Sequence, residues 1–295
     1  MEIYMRNLKS SYTLKIEALE RNKDKVELLI LGNSHAFSGV DPNELHLFTI
    51  NLANANQSIY FDKRIVLKHL YKLTNLKFVL ISVDFHSLNF SDQGIRNLWS
   101  YYGNGVRYES ENYFRQDFSA FATGYGPNFS FGILLKQLKN KSKSRGEFYF
   151  DVEPHHHAPF DLEKGYTPYK GQNEEEWTDE YIKKRADHFL EPADSMEKLK
   201  VTLDLKDFVE QLKSKGIQPI FFSCPTFKDY NSLFPLDKIE VYKKEIQELA
   251  DELNVPFWNY AFDNDFKKEE FFNADHLNQK GAARFGKILN KRLQE

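Results

Sequence analysis

VELLILGNSH, residues 26–35, is an apolar run that ends in a polar, glycine-containing turn. An apolar run of this length, bounded by a turn, is typical of a buried strand. Ser34 then lies where the strand ends. A serine at this place either caps the helix that follows or presents its hydroxyl for chemistry. The turn alone leaves both alternatives open.

Four further apolar runs predict strands. With the first at 26–31, the predicted strands are 48–52, 78–83, 219–223 and 255–259. Apolar residues at helical spacing predict helices at 61–73, 196–215, 239–253 and 278–293, the last with Asn278 as its N-cap. Apolar strands that alternate with helices are typical of a mostly parallel sheet covered on both faces. We therefore expect an α/β fold, a three-layer α/β/α sandwich around a five-stranded sheet of flavodoxin-like type.

One stretch, from about 89 to 192, breaks this alternation because it contains no long periodic segment. It falls between the third and fourth predicted strands. Ligands of such sheets bind at the carboxyl ends of the strands, and long loops there often cover the site. We predict a single domain over 1–295, in which this insertion forms a lid or substrate wall.

Composition and charge exclude several classes of function. The 295 residues carry 40 Lys and Arg against 43 Asp and Glu, a net charge of −3, so nothing attracts the chain to nucleic acid. Cys224 is the single cysteine, which excludes an intrachain disulfide and a zinc pattern. His155-His156-His157 has no acidic or cysteine partner at ligand spacing, and no phosphate-binding glycine motif occurs. We expect no metal and no cofactor.

The first 25 residues are polar and contain no apolar stretch suited to a signal peptide or a membrane span. The sequence as written predicts a cytoplasmic chain without a membrane segment. If an anchor preceded it, the protein would be associated with the cell envelope.

A second informative segment, NADHLN at residues 273–278, places a histidine between polar side chains just before the last helix. A serine becomes a nucleophile when a base takes its proton, and the base needs an orienting partner. His276 suits the role of base because the unperturbed pKa of histidine is about 6.5. Asn273 and Asp275 are the candidate partners.

These two segments resemble the SGNH/GDSL hydrolase superfamily, which has a Gly-Asp-Ser-type block after its first strand and an Asp-x-x-His block before its last helix. Here the blocks read Gly32-Asn33-Ser34 and Asn273-Ala274-Asp275-His276. The resemblance covers nearly the whole chain except the insertion. It implies that Ser34 is the nucleophile and His276 the base.

The resemblance also implies an oxyanion hole. Asn56 stands where the family has a glycine that donates its backbone N–H, and Asp84 is nearest the place of an asparagine after the third strand. The candidate site residues are Ser34, His276, Asn273 and Asp275 for catalysis, Ser34, Asn56 and Asp84 for the oxyanion, and Asn33, His35 and His86 for substrate binding.

Two departures from the family pattern leave alternatives open. Asn273 replaces the expected acid, and an amide does not stabilise an imidazolium by charge. Asp275 adjoins His276, but neighbouring side chains usually point apart. Asp84 would repel negative charge at an oxyanion site. The outcomes are a slow enzyme, an enzyme with a rewired acid, or a binding protein that kept the fold.

The style of the motifs, including Asp275-His276-Leu277-Asn278 with Gly281, is similar to SGNH proteins of polysaccharide O-acetylation, such as the alginate type. This implies a serine-dependent esterase or O-acyltransferase that acts on a carbohydrate or other acyl ester, with a possible acyl donor as partner. The alternative is a non-catalytic SGNH-fold protein that binds a glycan or a partner in cell-envelope polysaccharide biosynthesis.

Overall fold

The computed structural model describes residues 10–89, 101, 104–106, 156–190 and 194–295. The strands of these residues are β1 (Leu28–Leu31), β2 (Thr49–Asn51), β3 (Phe78–Ser82), β4 (Gln218–Ser223), β5 (Phe257–Asn259), β6 (Phe271–Asn273) and β7 (His276–Leu277). The α-helices are α1 (Ser11–Asn22), α2 (Ser34–Gly39), α3 (Ile59–His69), α4 (Asp179–Leu190), α5 (Ser195–Ser214), α6 (Lys228–Asn231), α7 (Leu236–Glu252) and α8 (Gln279–Gln294). Short 3-10 helices occupy Pro42–Glu44, Leu70–Lys72, Glu174–Glu176 and Lys268–Glu270.

The central sheet has five strands in the order β2-β1-β3-β4-β5, and every neighbouring pair is parallel. This is the flavodoxin-like order, in which the chain changes direction between β1 and β3. The predicted fold class is confirmed. All five predicted strands form, each within the predicted run or one residue beyond it.

Helices cover both faces of the sheet because its strands are apolar on both sides. Alternate residues of β1 enter different clusters, with Leu29 and Leu31 on one face and Leu28 and Ile30 on the other, and all four are fully buried. The first face packs against α1, α3, α5 and α7, and the second against α2, α4 and α8. This arrangement leaves the ends of the strands, rather than the faces, to carry a site.

The last helix begins as predicted. Asn278 is the N-cap of α8, and its side-chain oxygen accepts from the N–H groups of Lys280 and Gly281 at 3.0 and 3.2 Å. Gly281 packs so closely that a Cβ there would lie 2.1 Å from the carbonyl oxygen of Glu270. The contact fixes α8, and with it β7, against the preceding chain.

Residues 156–190 of the insertion contain a hairpin-like segment, the 3-10 helix Glu174–Glu176 and α4. Residues 156–170 form a hairpin-like segment with bridges between His157 and Tyr169 and between Asp161 and Tyr166. Residues 179–190 form α4, so the expectation of no long periodic segment is wrong for this part. Among the side chains of α4 that the structure describes, the buried apolar ones are Ile182 and Ala186, which are one helical turn apart.

The lid remains a prediction, since most of the stretch lies outside the described residues. His155 also lies outside them. None of the helices in the described part of the chain has the length and apolar character that crossing a membrane requires.

Candidate active site

The turn after β1 is shaped by a glycine and an asparagine. Gly32 has a φ of 127°, and a Cβ on it would lie 2.4 Å from the Cβ of Ser82 in β3. Asn33 is the N-cap of α2, because its side-chain oxygen accepts from the N–H of His35 at 2.9 Å. Asn33, and not Ser34, therefore caps the helix. Ser34 is its first residue, at the carboxyl end of β1.

Ser34 and His276 meet although 242 residues separate them. Ser34 Oγ lies 2.9 Å from Nε2 of His276, and the His276 side chain is buried. The other ring nitrogen, Nδ1, lies 3.0 Å from Oδ1 of Asn273 and 3.1 Å from Oδ1 of Asp275. Both of those atoms are acceptors, so the proton of a neutral ring sits on Nδ1 and Nε2 accepts from the serine hydroxyl.

Asp275 reaches its sequence neighbour, contrary to the expectation that the two side chains point apart. The reason is the antiparallel turn between β6 and β7, where Asn273 pairs with His276. Oδ1 of Asn273 accepts from the N–H of His276 at 2.9 Å and lies 3.3 Å from the N–H of Asp275. The asparagine thus closes the turn, and the aspartate supplies a carboxylate at Nδ1.

The carboxylate of Asp275 is held from α4. Nε and Nη2 of Arg185 both donate to its Oδ2, Nε at 2.8 Å, while Oδ1 faces His276. Burial raises the pKa of Asp275, but the interaction with His276 and the charge of Arg185 outweigh burial and hold that pKa well below its usual range. A second acid, Glu176, accepts from the side-chain amide of Asn273. Neither Arg185 nor Glu176 belongs to a motif near the histidine, so sequence reasoning missed both.

Burial lowers the pKa of His276, against the opposing effect of Asp275. The imidazole is therefore neutral at neutral pH and able to accept a proton. The arrangement can deprotonate a serine hydroxyl and then stabilise the resulting imidazolium with an ionised carboxylate.

Asp84 lies beyond the end of β3, as predicted, and its carboxylate accepts hydrogen bonds from neighbouring side chains. Its Oδ2 accepts from Nδ2 of Asn33 at 2.8 Å and from Oγ of Ser82 at 3.1 Å. Burial raises the pKa of Asp84, and the charge of His35 outweighs this and lowers it to about 2. An ionised carboxylate has no proton to donate, which does not favour Asp84 as an oxyanion donor, and its role there stays a prediction.

Asn33, His35 and His86 were predicted to contact substrate. Asn33 and His35 are only 3% and 5% exposed, and both side chains face Asp84. Their burial does not favour direct substrate contact. His86 is half-buried, with Nε2 3.2 Å from Nδ2 of Asn33. Burial and the charge of His35 lower the pKa of His86 to about 3, so its ring is neutral.

Asn56 lies in the turn after β2, exposed and with a φ of 55°. This loop joins the nucleophile turn through Asn54, whose N–H donates to the carbonyl oxygen of Gly32 at 3.0 Å. That the backbone N–H of Asn56 donates to the oxyanion stays a prediction.

A buried acid that sequence reasoning missed supports the same turn. Oδ1 of Asp62 accepts from the N–H of Gly32 at 3.1 Å and from Nε2 of Gln57 at 2.6 Å. Gln57 in turn accepts from the hydroxyl of Tyr101 at 3.0 Å. Burial raises the pKa of Asp62 to about 7.

Aromatic rings flank His276 on the side of the hairpin-like segment. Tyr169 stacks on Phe272 with 4.0 Å between ring centroids, and its edge contacts His276 at 5.7 Å. The ring centroids of His157 and Tyr169 are 4.5 Å apart. The Tyr169 ring thus contacts three protein rings, and the tyrosine packs against the histidine.

The described residues contain one cluster with the donor types of a metal site. Ligand atoms of His35, Asp275 and His276 lie within 4.8 Å of one another. The guanidinium of Arg185 already pairs with Oδ2 of Asp275, and its positive charge would repel a metal cation bound there. The donor set therefore fits a charged hydrogen-bond network better than a metal.

No protein-family model matches the sequence, and no curated protein matches it. Solved structures do match. A "putative acylhydrolase" from Bacteroides fragilis is 10% identical with a TM-score of 0.43, and covers 93% of each chain. A GDSL-like lipase from Bacteroides thetaiotaomicron is 11% identical with a TM-score of 0.42, and covers 97% of this chain and 98% of its own.

Proposed function

We propose that this protein is a serine-dependent acyl-transfer enzyme of the SGNH type that cleaves an ester. The contact between Ser34 Oγ and His276 Nε2 at 2.9 Å, with a carboxylate at Nδ1, carries the proposal. Serine, histidine and acid in this mutual arrangement form a catalytic triad whatever their order in the sequence.

In this mechanism Ser34 attacks the ester carbonyl while His276 takes the hydroxyl proton at Nε2. The negative oxygen of the tetrahedral intermediate is held by backbone N–H groups, for which Ser34 and Asn56 are our candidates. His276 then returns the proton to the leaving alcohol, and an acyl-serine remains. A water molecule or a sugar hydroxyl attacks this acyl-enzyme, again with His276 as the base.

Asp275 is the acid of this triad. It places an ionised oxygen 3.1 Å from Nδ1, so it stabilises the imidazolium that forms when Ser34 attacks. Asn273 keeps the turn that orients both residues. Asn273 stands where the family has an acid, and in this proposal Asp275 supplies the negative charge that Asn273 lacks.

The finer proposal is that the substrate is an O-acetylated carbohydrate and that the protein acts as an O-acetylesterase or O-acetyltransferase. Its support is the resemblance of the motifs to polysaccharide O-acetylation proteins. The choice between water and a sugar as acceptor depends on how the site excludes water.

The test is incubation with p-nitrophenyl acetate, following nitrophenolate release and intact mass. We expect turnover or an acetyl adduct on Ser34, and Ser34→Ala and His276→Ala to abolish either. Matched controls are Ser232→Ala and His46→Ala, which change exposed residues remote from the site and should retain full activity.

Adduct discharge identifies the acceptor. An adduct that clears in buffer supports an esterase, and one that clears only with added sugars supports a transferase. Equal turnover in wild type and Ser34→Ala would contradict the mechanism. Absence of both adduct and turnover, with retained glycan binding, would favour the non-catalytic alternative.

A further inference from the structure

The residue after the nucleophile lies between two buried carboxylates. Nδ1 of His35 is 3.1 Å from Oδ2 of Asp84, and Nε2 is 3.6 Å from Oδ2 of Asp275. Asp84 and Asp275 are 5% and 1% exposed. A neutral imidazole carries one N–H and would turn a lone pair toward one of the two carboxylates. Only the imidazolium presents an N–H to both sides.

We propose that His35 is a positioning residue whose positive charge joins Asp84 to Asp275 and holds the Asp275 carboxylate against His276. The inference rests on the proposed function, since it names what keeps the acid of that triad in place. His35 itself touches no reacting atom.

The contacts act through charge rather than through aligned hydrogen bonds. Within the described part of the chain, neither ring nitrogen of His35 has a hydrogen-bond partner of good geometry. Arg185 balances the charge of one of the two buried carboxylates, and a second cation is needed to balance the other, because charges removed from water need partners. Burial lowers the pKa of His35, but Asp84 and Asp275 outweigh burial and raise it to about 9.

The network returns to the turn from which it starts. From Ser34 it runs through His276 and Asp275 to His35, then to Asp84, whose Oδ2 accepts from Nδ2 of Asn33 at 2.8 Å. Residues 33, 34 and 35 are consecutive. The position of Asp275 is thereby linked to the same turn that carries Ser34. The turn at residues 33–35 therefore positions the groups on both sides of the His276 ring.

Apart from Asp84, Asp275 and Arg185, the titratable groups around His35 are neutral. The rings of His276 and His86 lie 4.8 and 5.7 Å away, and burial lowers the pKa of both. Cys224 and Tyr230 share with His35 the lining of a cavity of about 30 Å³, and burial raises both pKa values well above the ordinary range. Arg185 stays charged on the far side of Asp275. Near pH 9, His35 is therefore the network group that changes charge.

The test compares His35→Gln with the wild type in the rate constant for Ser34 acetylation between pH 5 and 10. We expect kcat to fall about 10- to 100-fold with KM little changed, because a displaced acid misorients the base. We also expect the wild-type rate to decline near pH 9, and this decline to be absent in His35→Gln.

His69→Gln is the matched control. His69 is also 5% exposed and pairs with a single acid, Glu20, at 3.0 Å. It lies outside the site, so its removal should leave kcat and the alkaline decline unchanged. The double variant His35→Gln/Asp84→Asn removes the cation together with one of its two anions. It should restore folding if His35→Gln alone destabilises the protein.

A readout independent of activity is the NMR titration of the histidine rings. We expect His35 to remain protonated to about pH 9, and the pKa of His276 to rise in the His35→Gln variant because a neighbouring positive charge is lost. Titration of His35 at or below pH 6.5, or a wild-type acetylation rate in His35→Gln, would overturn the inference. Failure of the proposed function would appear instead as an unmodified Ser34 in the wild type, while the His35 titration would be unaffected.

Discussion

The two sides of the His276 ring are built differently. The Nε2 side has one contact, Ser34, supplied by the first residue of a six-residue helix. The Nδ1 side has two acceptors, Asn273 and Asp275, and a further layer that comes from α4 and from the β1 and β3 ends. The nucleophile side depends on local backbone geometry, and the acid side depends on charged side chains from distant parts of the chain. Because several side chains share the positioning of the acid, substitutions on that side should lower the reaction rate by different amounts.

Asp275→Asn should have the largest effect on the acid side. We expect the acylation rate constant at pH 7 to fall about 10³- to 10⁴-fold, because an amide leaves the imidazolium without a charge partner. The measurement is the single-turnover rate with p-nitrophenyl acetate. Asp237→Asn, an exposed helix residue, is the control, and circular dichroism checks folding. A loss of less than about threefold would mean that Asn273 alone orients the base.

Arg185→Gln should have the next largest effect, about 10- to 100-fold on kcat with KM nearly unchanged, because Asp275 loses the group that occupies its Oδ2. Arg185→Lys should recover only part of the rate, since lysine cannot reproduce the two N–H contacts of the guanidinium. Steady-state kinetics of the two variants test this. Equal rates for Arg185→Gln and wild type would show that α4 plays no part in the chemistry.

Asn273 should matter less than Asp275. Asn273→Ala removes an acceptor for the turn and should reduce kcat about tenfold or less, with some loss of thermal stability from the turn. Asn273→Asp should not raise the rate, because one oxygen of the new carboxylate would face the carboxylate of Glu176 and the other would compete with Oδ1 of Asp275 for Nδ1 of His276. A faster Asn273→Asp enzyme would show that the position three residues before His276 is the natural place of the acid.

The smallest of the predicted effects is the change in the reaction rate of the wild type between pH 7 and pH 8. Burial lowers the pKa of His276, so the base is active above that pKa and is lost as pH falls through it. The rate should therefore rise with pH on an acid limb centred below 6.5 and change less than about twofold from pH 7 to 8. A pH–rate profile of the wild type checks this. A limb centred above 7 would mean that the carboxylate stabilises the imidazolium more than burial disfavours it.

Much of the site was predictable because it depends on residues close in sequence. The run 26–35 placed Ser34 at the end of a strand, and the polar flanks of His276 marked its base. Asn278 as the N-cap of α8 followed from the same local chemistry. The role of Asp275 did not follow, because the general tendency of neighbouring side chains to diverge is overridden by the tight β6–β7 turn.

Other residues could not be found in this way. Arg185 lies 90 positions before Asp275, in a helix in which Ile182 and Ala186 are the buried apolar residues among the described side chains. Asp62 and Gln57 support Gly32 from the other side of the nucleophile turn. A charge or a polar side chain in a sequence does not indicate which buried group it will meet.

The apolar pattern of the sequence predicted the parallel five-stranded sheet and the place of Ser34 at the end of β1, and the resemblance of the two motif segments implied that Ser34 pairs with His276. Apolar periodicity and helix caps are local properties, and parallel strands bring their carboxyl ends to one edge. The acid that faces Nδ1 of His276 and the position of His35 between two carboxylates became apparent only in the folded structure. Those outcomes depend on burial and on Coulomb interactions over a few ångströms, which exist only once the chain has folded.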